Sequence, residues 1–297
     1  MSVESPTLED LRRQIDAIDD ALQDGLIRRV ALVDQVAKAK LLGGNQSSAM
    51  RPGREAQILR RIAARHSGNL PLSVLFRVWR EIINAVTAMQ EPISVAVCAP
   101  ERSVAYWDLA RNHFGASTPM SLHVAPTVVM RNVVERPGTV GVLPEPQDEE
   151  DEPWWLLLAA EARSSRVPRI IWRLPFFSSG SGRFERLGAI AVACMAPEPT
   201  GADETVAAFE CDLDLSRGRL LEGLESVGLK ARVIATHEGH GTDSRLHLAL
   251  VSGFVGEEDP RLDRLAQHMN GALNRAVVLG AYPTPIGDAD PAAQAAS

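Results

Sequence analysis

The residues of this chain that could do chemistry are cations gathered around one segment, KAKLLGGNQSSAMRPGREAQILRR, from Lys38 to Arg61. A long helical pattern ends there in a Gly/Asn/Ser stretch, and a second helix begins with an Arg-Glu pair. Arg29 and Lys40 are 11 residues apart, close to three whole helical turns, so they share a helix face about 16 Å apart along the axis. Two long cationic side chains leaning inward across that gap can grip a compact dianion. Arg12 lies 17 residues before Arg29, about 25 Å away and roughly a quarter-turn off, so it cannot serve the same ligand from the same helix. In an antiparallel pair of chains, Arg12 of one reaches the Arg29–Lys40 region of the other. The plainer alternative is a set of solvated helix charges, since Arg13, Arg28 and Lys38 sit beside them. Spacing alone leaves both open.

The elements that must position these cations are helical. Thr7 with Asp10 three residues on makes an N-cap, and Leu8, Leu11, Ile15, Ile18, Leu22, Leu26, Val33 and Val36 then recur every three or four residues. The spacing predicts one helix over 8–41, roughly 50 Å long. Two shorter helices follow over 53–66 (Ile58, Leu59, Ile62) and 71–90 (Leu72, Leu75, Trp79, Ile82, Ile83, Val86), punctuated by Gly68 and Pro71. They are too short to cover an apolar stripe of that length, so the long helix is expected to pair with its copy in a homodimer.

At Pro92 the period changes. ISVAVCA, GTVGVLP, RIIWRLPFF and AIAVACM read as buried strands, with helical VAYWDLARNHF and PTVVMRNVV among them, an α/β pattern. From Thr205 the order is strand TVAAFECDL, helix RLLEGLESVG, strands ARVIATH and RLHLALVSGFV, helix PRLDRLAQHMNGAL and strand AVVLGAY. That βαββαβ succession is the ferredoxin-like arrangement. The expected division is an all-α region over 1–91, an α/β domain over 92–203, a βαββαβ domain over 204–283 and a disordered tail over 284–297.

Composition narrows the function classes. The chain has 297 residues, 45% of them apolar, and a net charge of −7, as expected of a soluble multidomain protein. Residues 1–90 hold 13 lysines and arginines against 10 acidic residues, and the remainder 18 against 28. Neither part has the concentrated basic stripe of a nucleic-acid binder. Three dispersed cysteines, Cys98, Cys194 and Cys211, show no CxxC spacing, which argues against a zinc site or a disulfide framework and suits a reducing cytosol. No leader opens the chain, and its longest apolar runs, such as WWLLLAA from Trp154, are too short for a bilayer. A cytoplasmic protein without membrane or nucleic-acid partners is expected.

Other motifs are weak. His237-Glu238-Gly239-His240 is not HExxH, and GSG over 180–182 lacks the third glycine and the strand context of a dinucleotide loop. The acidic run QDEEDE over 147–152 reads as a solvated loop, and Trp154-Trp155 as an interface or core anchor.

The motifs L-R-x-x-I-D-x-I-D, R-R, K-A-K and R-E-x-x-I-L within residues 7–90 resemble the all-helical chorismate mutase family. The resemblance implies an intertwined helical dimer that converts chorismate to prephenate. It further implies that Arg12 of the partner chain, Arg29 and Arg54 hold the two carboxylates, that Lys40 and Gln90 face the ether oxygen, and that Glu55 meets the ring hydroxyl. The loop 43–51 would close one side of the site and is slightly longer than in compact members. Val86 stands where many members place a serine. The rearrangement is unimolecular and pericyclic, so it needs no cofactor or metal. With glutamine rather than glutamate at position 90, activity without acid pH is expected.

The second half resembles the bifunctional mutase–prephenate dehydratases with a regulatory ACT domain, through APERSVAYWDLARNHFG, GTVGVLPEP and APEPTGADET. It also departs from them. The catalytic Thr-Arg-Phe of that family should fall at Leu187-Gly188-Ala189, whereas GRF over 182–184 is displaced and lacks the threonine. Glu145 is followed by Pro146 and Gln147 rather than Asn-Ser. About 105 residues before the ACT-like module are too few for two lobes and a cleft. The phenylalanine-binding Gly-Ala-Leu and Glu-Ser-Arg-Pro are replaced by SRGRLL and IATHEG. A chorismate mutase with a catalytically silent dehydratase-like half is expected. The alternatives are a working bifunctional enzyme, a ligand-sensing or partner-binding protein with a vestigial mutase fold, and a related pyruvate lyase.

Overall fold

The structure, a computed structural model, describes residues 6–42, 48–100, 104–148, 150, 153–161, 167–178, 187–238 and 244–287. The chain divides into two compact units, 1–49 and 50–297. Among its described residues the first contains one helix, α1 (Leu8–Leu42). Its start is a reciprocal cap. The Asp10 backbone N–H donates to Thr7 Oγ1 at 3.2 Å, and the Thr7 N–H donates back to Asp10 Oδ2 at 3.1 Å. Most of the apolar positions read from the sequence are exposed in the single chain, Ile15 at 57%, Ile18 at 60% and Leu22 at 60%, while Val33 is half-buried.

The second unit opens with α2 (Pro52–Arg65) and α3 (Leu72–Gln90). Pro52, with no N–H to leave unpaired, starts α2, and Pro71 stands at the N-cap of α3. There follow β1 (Ser94–Cys98), α4 (Val104–Phe114), β2 (Met120–His123), α5 (Pro126–Glu135), β3 (Thr139–Pro144), α6 (Trp155–Glu161), β4 (Arg169–Leu174), β5 (Phe177–Ser178) and β6 (Ala189–Ala193). The last stretch is β7 (Asp203–Asp212), α7 (Arg217–Ser226), β8 (Ala231–Glu238), β9 (Ser244–Ser252), α8 (Pro260–His268), β10 (Leu273–Pro283) and β11 (Ile286–Gly287).

Nine of the strands form one mixed sheet in the order β2-β1-β3-β6-β4-β10-β7-β9-β8, and β5 pairs separately with β11. β1 runs parallel to β2 and β3, β6 antiparallel to β3 and β4, and β7 antiparallel to β10 and β9. The stretches before and after residue 203 meet where β4 and β10 run parallel, with Ile170 opposite Gly280.

Alternation along the strands sends successive residues to opposite faces. Val95 and Val97 of β1 join Leu59 of α2, Phe76 and Ile83 of α3 and Leu109 of α4 in one core. Ala96 and Cys98 join a second, with Val129 of α5 and Trp155 and Leu158 of α6. That second core continues under the last strands through Val206, Ala208, Leu248 and Leu279. A third packs Leu220 and Leu224 of α7 and Leu265 of α8 on Phe209 and Val251. Trp154 and Trp155 are thus core anchors, 4% and 0% exposed, with Trp154 Nε1 donating to the Pro144 carbonyl at 2.9 Å.

Several elements differ from the sequence reading. β2 was not anticipated; it is a four-residue edge strand, half-buried to exposed. Nor was α6, and RIIWRLPFF, read as one strand, is divided into β4 and β5. β10 begins at Leu273, before the apolar run, and α8 ends at His268. The chain is also held beyond residue 283, since the Thr284 N–H donates to the Ala202 carbonyl at 2.9 Å and the Ile286 N–H to the Phe176 carbonyl at 2.7 Å. The rest of the expected tail, 288–297, lies outside the described residues. So do GRF and GSG within 179–186, Gly239 and His240, part of the acidic run, and 43–47 of the loop after α1. No described helix is long and apolar enough to cross a membrane.

Candidate active site

The six expected site residues are divided between the two units. Arg12, Arg29 and Lys40 lie along α1, Arg12 exposed in its first turns and Lys40 near its C-terminal end. Arg54, Glu55 and Gln90 belong to the second unit.

In that unit α2 sets its first turn so that Arg54 faces outward and Glu55 inward. Arg54 is exposed, with Nη1 3.4 Å from Gln57 Oε1. Glu55 turns into the body, where its Oε2 accepts from Arg80 Nη1 at 2.8 Å and its Oε1 from the Arg51 N–H at 3.4 Å. The side chains of Arg80 and Glu55 are 5% and 10% exposed. Gln90 ends α3 exposed, its Nε2 donating to the Val86 carbonyl at 3.3 Å. Val86, at the position of the family serine, is buried.

The pair sits on an aromatic floor. The Arg80 guanidinium lies 4.6 Å from the Trp172 ring centroid and 5.7 Å from that of Phe176, a cation–π arrangement. His113 meets Trp172 edge-on at 4.7 Å, and its carbonyl accepts from Asn84 Nδ2 at 2.8 Å. Burial lowers the Arg80 pKa to about 10, against the pull of Glu55, so it stays cationic at neutral pH. Burial, and then the charge of Arg80, push His113 well below 6.5, so it is neutral there. Arg80 Nη2, His113 Nε2 and Trp172 Nε1 are buried without a hydrogen-bond partner.

The outer side of α2 is tied to the segment that leads into β7. Arg51 binds Glu198 through Nη2 at 2.8 and 2.9 Å and Nε at 3.2 Å. Arg60 donates to Thr200 Oγ1 at 2.9 Å, the Ala202 carbonyl at 2.6 Å and the Thr284 carbonyl at 3.1 Å. Gly53 permits the approach, because a Cβ there would stand 3.2 Å from Thr200 Cγ2.

Arg80 was missed by the sequence reading. Its signal was present, since it falls four residues after Phe76 and three before Ile83 on the buried face of α3, where a cation needs a partner.

Elsewhere, Leu187 and Gly188 lead into β6 and Ala189 opens it, so the position expected for Thr-Arg-Phe offers neither hydroxyl nor guanidinium. Glu145 is ion-paired with Arg173. His237 and Glu238 end β8, with Glu238 ion-paired to Arg245. A cavity of about 260 Å³ lined by Leu156, Ala208, Glu210, Leu246, Arg275 and Val277 lies against α6, apart from Arg54, Glu55 and Gln90.

Comparison with known proteins gives the following. The bifunctional chorismate mutase/prephenate dehydratase of Stutzerimonas stutzeri is 31% identical over 144 residues, 48% of this chain and 39% of that protein. The protein of the same name from Pseudomonas aeruginosa is 33% identical over 143 residues, 46% of this chain and 38% of that one. The match therefore spans well under half the length of either relative. The solved prephenate dehydratase of Staphylococcus aureus gives a TM-score of 0.45 at 9% identity, over 64% of this chain and 100% of that one. Residues 11–91, which hold all six expected site positions, match the family described as Chorismate mutase type II, so the helical N-terminal region carries a domain of that family.

Proposed function

We propose that the protein is a homodimeric chorismate mutase, rearranging chorismate to prephenate for aromatic amino acid synthesis, in the cytoplasm and without a cofactor. The observation that carries this reading is the family match over residues 11–91 with Arg12, Arg29, Lys40, Arg54, Glu55 and Gln90 inside it. The chemistry suits that residue set. Arg29 and Arg54, with Arg12 from the partner chain, hold the two carboxylates of the flexible dianion and keep it in its compact diaxial chair. Lys40 and Gln90 stabilise negative charge developing on the breaking ether oxygen, and Glu55 accepts from the ring hydroxyl. The exposed apolar stripe of α1 supports the dimer, since burying it against a second copy removes it from water.

In the same reading the later elements form a ferredoxin-like, ACT-like module. The βαββαβ order from β7 to β10 and the strand order β10-β7-β9-β8 support this. The dehydratase-like stretch before it is silent, in keeping with Leu187-Gly188-Ala189 where a Thr-Arg-Phe would act.

The test is disappearance of chorismate with the purified chain, wild type beside Arg29→Ala, with products identified. Prephenate as sole product, lost in the variant, is the expected result. Phenylpyruvate would establish a working dehydratase instead. No turnover by the folded wild-type protein would overturn the reading in favour of a ligand-sensing protein.

A further inference from the structure

Within the second unit, the two helices that carry Arg54, Glu55 and Gln90 do not form a body of their own. Ala56, Leu59, Phe76 and Ile83 share one core with Val95, Val97, Val140, Val142 and Trp172 of the large sheet. Glu55 is held at the centre of that junction. The α/β half reaches Glu55 through Arg80, whose Nη1 donates to the Glu55 carboxylate while the guanidinium carbon lies 4.6 Å over the Trp172 ring.

We propose that Arg80 is a positioning residue for the mutase reaction, fixing the carboxylate of Glu55 from a seat on Trp172, so that the α/β half is part of the mutase machinery. This rests on the mutase reading and on the role given there to Glu55.

The geometry supports it in three ways. A carboxylate has about four lone-pair positions. Arg80 Nη1 takes one on Oε2 and the Arg51 N–H approaches Oε1, which leaves capacity for a substrate hydroxyl. Arg80 cannot swing away, because Trp172 lies beneath it at 0% exposure and the residue itself is 4% exposed. Finally, α2 is fixed on its outer side by Arg51 on Glu198 and Arg60 on Thr200, so the backbone that bears Glu55 is held to the same body. A planar cation suits this place better than lysine. It stacks and donates at once, whereas an ammonium is a point charge.

The experiment is a double-mutant cycle on the full-length chain, following chorismate disappearance for wild type, Arg80→Gln, Glu55→Gln and the double variant. Far-ultraviolet circular dichroism and melting temperature confirm the fold of each. Arg80→Gln is expected to lower kcat/KM at least tenfold, and to produce no further loss once Glu55 is glutamine. An equal loss in both backgrounds would show Arg80 to be structural only, and no loss in the wild-type background would also overturn the proposal. Should Arg80→Gln fail to fold, Arg80→Lys replaces it, with an expected threefold loss that again vanishes beside Glu55→Gln. Wild-type turnover separates the two levels. Without it the mutase reading and this inference fall together, whereas with it and an unaffected Arg80 variant only the inference falls.

Discussion

Gly280 of β10 faces Ile170 of β4 so closely that a Cβ on the glycine would lie 2.3 Å from the Ile170 carbonyl oxygen and 2.4 Å from its nitrogen. The glycine also has φ +144, a conformation that L side chains rarely adopt. These two residues are the register pair at which the stretches before and after residue 203 become one sheet.

Gly280→Ala should therefore separate β4 from β10 and cost about 3 kcal/mol or more, from clash and backbone strain together. Gly253→Ala is the matched comparison, since Gly253 has φ +88 but nothing within 4 Å of an added Cβ; it should cost only about 1–2 kcal/mol. Urea unfolding midpoints of the two variants test the difference, and equal losses would mean that the close approach does not matter.

The two arginines on the outer side of α2 should not be equivalent. Arg51 and Glu198 have side chains 40% and 41% exposed, so Arg51→Ala should cost less than about 1 kcal/mol and less still in high salt. Arg60 donates to two backbone carbonyls and a hydroxyl, and Arg60→Ala should cost about 2 kcal/mol with little salt dependence. Thermal melts at low and high ionic strength separate the two cases.

His113 gives stability a pH dependence. Its folded pKa is depressed below 6.5 by burial and Arg80. Below pH 6.5 the unfolded chain takes up a proton that the folded chain refuses. Stability is then complete above that value and is lost as pH falls toward the folded pKa, by about 1.4 kcal/mol per unit. His247, depressed mainly by burial, adds a slope of the same sign. His113→Phe should remove its share of the slope while keeping an aromatic ring against Trp172. Melting temperatures from pH 5 to 8 decide the matter, and an unchanged slope would rule His113 out.

A fragment ending at Glu91 should be poorly folded. Leu59, Phe76 and Ile83 would lose the sheet side of their core, and the Arg80–Glu55 pair would lose its cover. Helicity well below that of the 35-, 14- and 19-residue helices which the same segment holds in the whole chain, and dye binding to exposed apolar surface, are expected. A fragment that keeps those helices in full and melts as high as the whole chain would show that α2 and α3 are complete without the body.

Local pattern was legible and long-range arrangement was not. The helix expected over 8–41 runs Leu8–Leu42 with its Thr7–Asp10 cap in place, because a sustained three-to-four spacing and a capping pair are local signals. β2 was invisible, being short and half-exposed at a sheet edge with no alternation to betray it. The start of β10 was hidden because Asn274 and Arg275 precede its apolar run. Of the candidate site, types and spacing were readable, whereas the inward turn of Glu55 was not. It depends on Arg80, 25 residues on, and on Trp172, far beyond that. A buried cation is written with the same letter as a solvated one.

The position of β10 also bears on how the chain is made. It leaves the ribosome after both β4 and β7, yet it lies between them in the sheet. Until Leu273–Pro283 has emerged, both neighbours present open edges that invite pairing with other chains. The nascent sheet therefore stays open, with its other eight strands already synthesised, until β10 arrives to close it.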